Sequence, residues 1–126
     1  MPKKILIIDD EEILIKTLLR LFEKNGYEAA AAMSGDEALR LAEENGPFDL
    51  VVCDMRMPGY NGVELIKRME EVYSARYKCR VPVIFLTGFA DETLEAQAQL
   101  LNPVAYMYKP FDISELFRQV HETVSK

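Results

Sequence analysis

The sequence predicts an open three-layer α/β sandwich built around a parallel sheet. Short apolar runs alternate with amphipathic stretches five times along 126 residues, with no linker between them. The runs are apolar on successive residues rather than alternate ones, the mark of strands buried on both faces. Five β-α units are too few to close an eight-stranded barrel, so an open sheet with helices on each side is the economical solution.

The first strand is "KILIID" (4–9), a continuous apolar run bounded by charge. A helix over 11–25 follows, with Ile13, Leu14, Thr17, Leu18, Leu21 and Phe22 on one stripe and Asn25-Gly26 as its stop. "YEAAAAM" (27–33) reads as the second strand, against four alanines that favour helix on propensity. Ser34 with Glu37 three residues later forms a capping box for a second helix that ends near Asn45-Gly46. "FDLVVCD" (48–54) is the clearest buried strand. A third helix starts near Gly62 and runs through Ile66, Met69 and Val72, after which "YSARYKCR" (73–80) reads as a loop or frayed end. "VPVIFLT" (81–87), "ADETLEAQAQLL" (90–101) and "VAYMY" (104–108) are the fourth strand, fourth helix and fifth strand. A last helix runs from Asp112 with Ile113, Leu116, Phe117, Val120 and Val124 on one side.

Composition narrows the function. Hydrophobic residues make up 49% and charged residues 29%, the balance of a soluble globular chain long enough to bury a core. No apolar run approaches the roughly 18 residues of a membrane span. "MPKKILIIDDEE" follows a short apolar stretch with a run of acids, which does not make a secretory signal. Two cysteines, Cys53 and Cys79, lack metal spacing and are too few for a disulfide framework, so the cytoplasm is expected. A net charge of −6 argues against direct nucleic-acid or anionic-membrane binding, which needs a basic face.

In open α/β sheets the ligand site lies outside the carboxyl ends of the strands. Here strand one ends in Asp9-Asp10, strand three in Asp54, strand four in Thr87 and strand five in Lys109. Three carboxylates brought together repel, so either one is protonated or a cation sits among them. Oxygen ligands suit Mg²⁺ or Mn²⁺. The sole histidine, His121, falls on the last helix and reads as a solvated surface side chain. A carboxylate can act as a nucleophile and form an aspartyl phosphate. The cation and Lys109 would neutralise the phosphoryl oxygens, and the Thr87 hydroxyl would donate to one of them. There is no Gly-x-x-x-x-Gly-Lys-Ser/Thr loop, so the phosphoryl donor is expected to be something other than directly bound ATP.

Together, in order and at these spacings, "ILIIDDEE", "DLVVCDMRMPGYNG", "VIFLTG" and "YMYKPF" resemble the CheY-like receiver domain of two-component response regulators along essentially the whole chain. The resemblance implies a flavodoxin-like fold: a five-stranded parallel sheet of order 2-1-3-4-5 with five helices, as one receiver domain over residues 1–126. It implies that Asp54 accepts a phosphoryl group from a histidine kinase or histidine phosphotransfer protein, with Mg²⁺ required. By position, Asp10 would ligate the metal directly and Asp9 would help hold it through water. The backbone carbonyl of Arg56 would be a further ligand. Thr87 and Lys109 would contact the phosphoryl oxygens, Tyr106 matches the aromatic switch position, and the Lys109-Pro110 bond would be cis.

The same likeness implies a helix 4–strand 5–helix 5 face that controls a downstream output protein or domain, with a phosphorylation-dependent homodimer as one form. Such a domain is no turnover enzyme; its chemistry is self-phosphorylation and autodephosphorylation. Cys53, Met55 and Met57 read as packing. Arg56 and Phe89 lie two residues after Asp54 and Thr87, and neither can orient an attacking water as a carboxylate or amide would, so slow dephosphorylation is expected. "NPVAY" stands where relatives often have Gly-Ala before the fifth strand. Two other classes rank lower. A haloacid-dehalogenase-type phosphatase would carry Asp-x-Asp on the first strand. A phosphorylation-independent scaffold has usually lost one of the five groups kept here.

Overall fold

A computed structural model describes residues 2–57, 59–88 and 90–125, and the five β-α units form in the expected order. They are β1 (Lys4–Ile8), α1 (Glu12–Lys24), β2 (Glu28–Ala32), α2 (Gly35–Asn45), β3 (Leu50–Asp54), α3 (Gly62–Arg76), β4 (Val83–Thr87), α4 (Glu92–Gln99), β5 (Ala105–Tyr108) and α5 (Ile113–Val124). The strands pair in parallel in the order β2-β1-β3-β4-β5. Between β3 and α3, Arg56–Met57 and Tyr60–Asn61 make a short antiparallel ladder.

Successive strand residues point to opposite faces of a sheet, and here both faces are covered. Leu6, Ile8, Val51, Cys53, Val83 and Phe85 join the α2, α3 and α4 side chains in one core. Ile5, Ile7, Leu50, Val52, Ile84 and Leu86 join those of α1 and α5 in the other. Continuous apolar runs are the consequence, and the three layers follow. The alanine-rich β2 holds register with β1 from Lys4↔Glu28 to Ile8↔Ala32. Sheet pairing there outweighs alanine's helix preference. Ser34 caps α2 by accepting the Glu37 N–H, while the Glu37 carboxylate reaches back to the Met33 N–H. The Lys109–Pro110 bond is cis, and so is Gly46–Pro47. No described helix is long and apolar enough to cross a membrane.

The structure corrects four expectations. On α1 the buried line is Ile15, Leu18 and Phe22, while Thr17 is exposed and Ile13 is 82% exposed. The apolar residues of this helix fit two overlapping stripes, and the position of the sheet decides which one faces inward. On α5, Ile113 sits at the exposed margin of the stripe. The third helix continues through Arg76, and only 77–80 leave it. Tyr73, four residues after Met69, is fully buried, and its hydroxyl accepts the Phe48 N–H at 2.9 Å. Neighbouring Tyr77 donates to the carbonyls of Ala42 and Glu43. His121 is exposed but not merely solvated: its Nδ1 lies 2.6 Å from the Tyr27 hydroxyl and its ring stacks on Phe117.

Candidate functional site

Sheet register builds the site. Ile8 pairs with Cys53 and Asp54 with Leu86, so Asp9, Asp54 and Thr87 leave adjacent strands at one level. The Lys109 N–H donates to the Thr87 carbonyl at 2.6 Å, which fixes the start of the last connection on the same rim. Carboxylate oxygens of Asp9, Asp10 and Asp54 lie within 4.8 Å of one another. Asp9 is fully buried, Asp54 is 8% exposed and Asp10 faces solvent.

Lys109 is the counter-charge. Its Nζ lies 2.7 Å from Glu11 Oε1, 3.0 Å from Asp9 Oδ2 and 3.5 Å from Asp54 Oδ2. Asp9 Oδ1 accepts the Glu11 N–H at 2.9 Å, so both oxygens of this buried acid are held. Burial lowers the Lys109 pKa, but the hydrogen bonds to Glu11 and Asp9 more than reverse this and leave it above the ordinary lysine value. One lysine does not neutralise the cluster. Burial and then Asp9 push Asp54 up to about 6, against the opposing pull of Lys109 and the Arg56 N–H. Burial, with Asp54 and Asp9 nearby, raises the Cys53 thiol, so it stays protonated as a packing residue. All-oxygen donors with surplus negative charge fit a hard divalent cation of the Mg²⁺ or Mn²⁺ kind.

Thr87 is 1% exposed, and its side chain stands close enough to the Tyr106 phenol to lower that group's pKa. Burial raises the Tyr106 pKa first and Glu95 second, and Thr87 opposes them. The Tyr106 ring packs on Phe85 at 6.2 Å and edge-on to Tyr108 at 5.6 Å. Tyr108 then donates to the Glu95 carboxylate on α4, and this bond pushes its pKa up to about 12. A continuous path of contacts therefore joins the rim to α4. Sequence reasoning named Thr87 and Tyr106 but missed Tyr108 and Glu95. The available signal was two tyrosines at i and i+2 of one strand, which share a face.

The loop after Asp54 is clamped from α2. The Tyr60 hydroxyl donates to Asp36 Oδ1 at 3.0 Å, and the ring fills the space left by Gly35, where a Cβ would come within 2.1 Å of it. Gly62 allows α3 to start against β3, because a Cβ there would lie 3.0 Å from the Asp54 carbonyl. Asp10, Arg56, Tyr60, Asn61 and Glu64 border an open cleft of about 530 Å³ beside the carboxylates. Nothing local in the sequence pairs Tyr60 with Gly35. Glu11 was likewise unremarked, since an acid at a helix start is ordinary. Phe89, expected to influence the lifetime of the phosphoryl group, lies outside the described residues.

Residues 5–121 match the family model described as the response regulator receiver domain. The chain is 34% identical to sporulation initiation phosphotransferase F of Bacillus subtilis, over 92% of this chain and 89% of that protein. It is 34% identical to the transcriptional regulatory protein PdtaR of Mycobacterium tuberculosis over 99% of its length, but spans only 58% of that protein. Among solved structures, a CheY-like response regulator receiver domain protein from Methanospirillum hungatei superposes with a TM-score of 0.85 at 27% identity, covering 99% of this chain and 95% of that one.

Proposed function

The chain belongs to the response regulator receiver domain family, and from that premise we propose that Asp54 is the phosphoryl acceptor of a two-component signalling step. One observation carries the reading: Asp9, Asp10 and Asp54 place carboxylate oxygens within 4.8 Å of one another beside the Lys109 ammonium. An Asp54 oxygen attacks phosphorus as the P–N bond of a donor phosphohistidine breaks. With a pKa of about 6, Asp54 is mostly ionised at neutral pH and available as a nucleophile. Lys109 turns toward the new negative charge and the Thr87 hydroxyl donates to a phosphoryl oxygen. Asp9, Asp10, Asp54 and the Arg56 carbonyl are the groups that would hold Mg²⁺ or Mn²⁺, which when bound supplies further neutralisation of the phosphoryl oxygens.

Family membership implies a histidine kinase or histidine phosphotransfer protein upstream and an output protein or domain downstream. We read residues 1–126 as one receiver domain working in the cytoplasm, with chemistry confined to its own acceptor. Tyr106 is the switch in this reading. As Thr87 moves to the phosphoryl oxygens, it withdraws from Tyr106 and the path through Tyr108 to Glu95 shifts the α4-β5-α5 face toward a second packing. That face then engages the output or a second copy of the chain. Tyr106→Ala is expected to take up the phosphoryl group normally and to lose any phosphorylation-dependent change of sedimentation coefficient or α4 amide exchange. An unchanged response in the variant removes Tyr106 from this role.

Intact mass after incubation with acetyl phosphate tests the acceptor. The expected result is a Mg²⁺-dependent phosphoryl adduct on the wild type that is absent from Asp54→Asn. An adduct that persists in the variant overturns the assignment. After donor removal, decay of the adduct tests the slow-dephosphorylation reading: Arg56→Asn or Phe89→Glu should shorten its lifetime, and equal lifetimes discard it.

A further inference from the structure

We infer that Glu11 is a positioning residue that holds the Lys109 ammonium in the resting state and must release it for the phosphoryl group to be accommodated. This rests on Asp54 as acceptor. Lys109 makes its shortest ion pair with Glu11, at 2.7 Å, and its longest with Asp54, at 3.5 Å. The group nearest the ammonium is therefore one with no part in the transfer. A second observation is independent of that distance. Glu11 is the N-cap residue of α1, and its side chain is not taken up by a capping hydrogen bond. It reaches instead to a lysine 98 positions further along the chain.

Asp9 and Glu11 hold Lys109 in different ways. Asp9 is buried and pinned by the Glu11 N–H, so its hold on Lys109 is fixed at the rim. The Glu11 side chain is 58% exposed and can swing into water. When the Asp54 oxygen bonds to phosphorus and the bridging P–O bond of acetyl phosphate breaks, acetate leaves with the electron pair. The acceptor then carries up to about two negative charges instead of one. Glu11 now competes with the phosphoryl group for the ammonium and stands beside it as a like charge. It restrains phosphorylation until Lys109 is released.

Glu11→Gln removes the charge; Glu11→Asp keeps the charge but withdraws it by one methylene. Both variants are expected to raise the initial rate of adduct formation from acetyl phosphate at saturating Mg²⁺ by about threefold to fivefold, the value of a partly screened ion pair. Both should also raise the rate at which an amine-reactive ester labels Lys109 in metal-free protein, read by peptide mass. Acceleration in Glu11→Gln alone assigns the effect to net charge and overturns the contact. Unchanged labelling of Lys109, or phosphorylation rates that stay level or fall while the wild type forms its adduct, overturns the inference and leaves the acceptor in place. A wild type that forms no Mg²⁺-dependent adduct overturns both.

Discussion

Replacing Asp54 with Asn should make the metal-free protein more stable at neutral pH, by up to about 3 kcal/mol, because the native state holds this carboxyl at a pKa of about 6 against the ordinary aspartate value of 3.8. The sign follows from proton binding. Between those two values the folded protein binds more protons at Asp54 than the unfolded chain does. The stability linked to this group is therefore fully present below about 3.8 and is lost as pH rises through about 6. Above that the ionised carboxylate, buried and beside Asp9, destabilises the fold that positions it. Asn carries no such charge and its carbonyl can still accept the Arg56 N–H. Urea unfolding in chelator across pH 4–7.5 should show the wild type losing stability relative to Asp54→Asn as pH rises. Added Mg²⁺ should narrow the gap by stabilising the wild type more. Parallel stability profiles in chelator would mean that Asp54 carries no ionisation penalty. A site that is unstable with its charges alone is one that calls for a cation or a proton, which is the physical case for the metal.

Truncating Tyr73 should be the most damaging core change, with Tyr73→Ala losing about 3–5 kcal/mol of stability in urea unfolding. The ring is fully buried and meets Tyr77 edge-on at 5.5 Å, and its hydroxyl satisfies the Phe48 N–H just before β3. Tyr73→Phe separates the two contributions. It keeps the ring and leaves a buried N–H without its acceptor, which costs about 1–3 kcal/mol. Its adduct formation should match the wild type, since Tyr73 supports the strand far from the rim. A Tyr73→Ala loss below about 1 kcal/mol, a value typical of surface positions, would show that the end of α3 is dispensable to the core.

The sequence was informative wherever a property is local. Each strand is apolar on successive residues, each helix carries a cap or an apolar stripe, and the acids, hydroxyl and ammonium stand at strand ends. In an open parallel sheet, strand ends share one rim. Asp9, Asp10, Asp54, Thr87 and Lys109 could therefore be named from their positions alone, and the family motifs gave them roles. The alanine-rich β2 was the weak point, because alanine has no strand preference of its own and only pairing with β1 decides it.

What the tertiary structure alone decided are the pairings between distant residues. Periodicity says that α1 has an apolar stripe, but the sheet beneath it selects Ile15 over Ile13. Tyr73 looked like a loop residue because its partner, the Phe48 N–H, lies 25 positions away in the chain. Tyr60 takes its place because Gly35 has no Cβ. Glu11 reads as an ordinary helix-start acid until the fold brings Lys109 to 2.7 Å. Strand runs, helix stripes and caps depend on backbone geometry repeated within a few residues, so the sequence by itself determined them. Which carboxylate holds the lysine, and which acid is left with unbalanced charge, depends on distances and burial that exist only once the layers have packed.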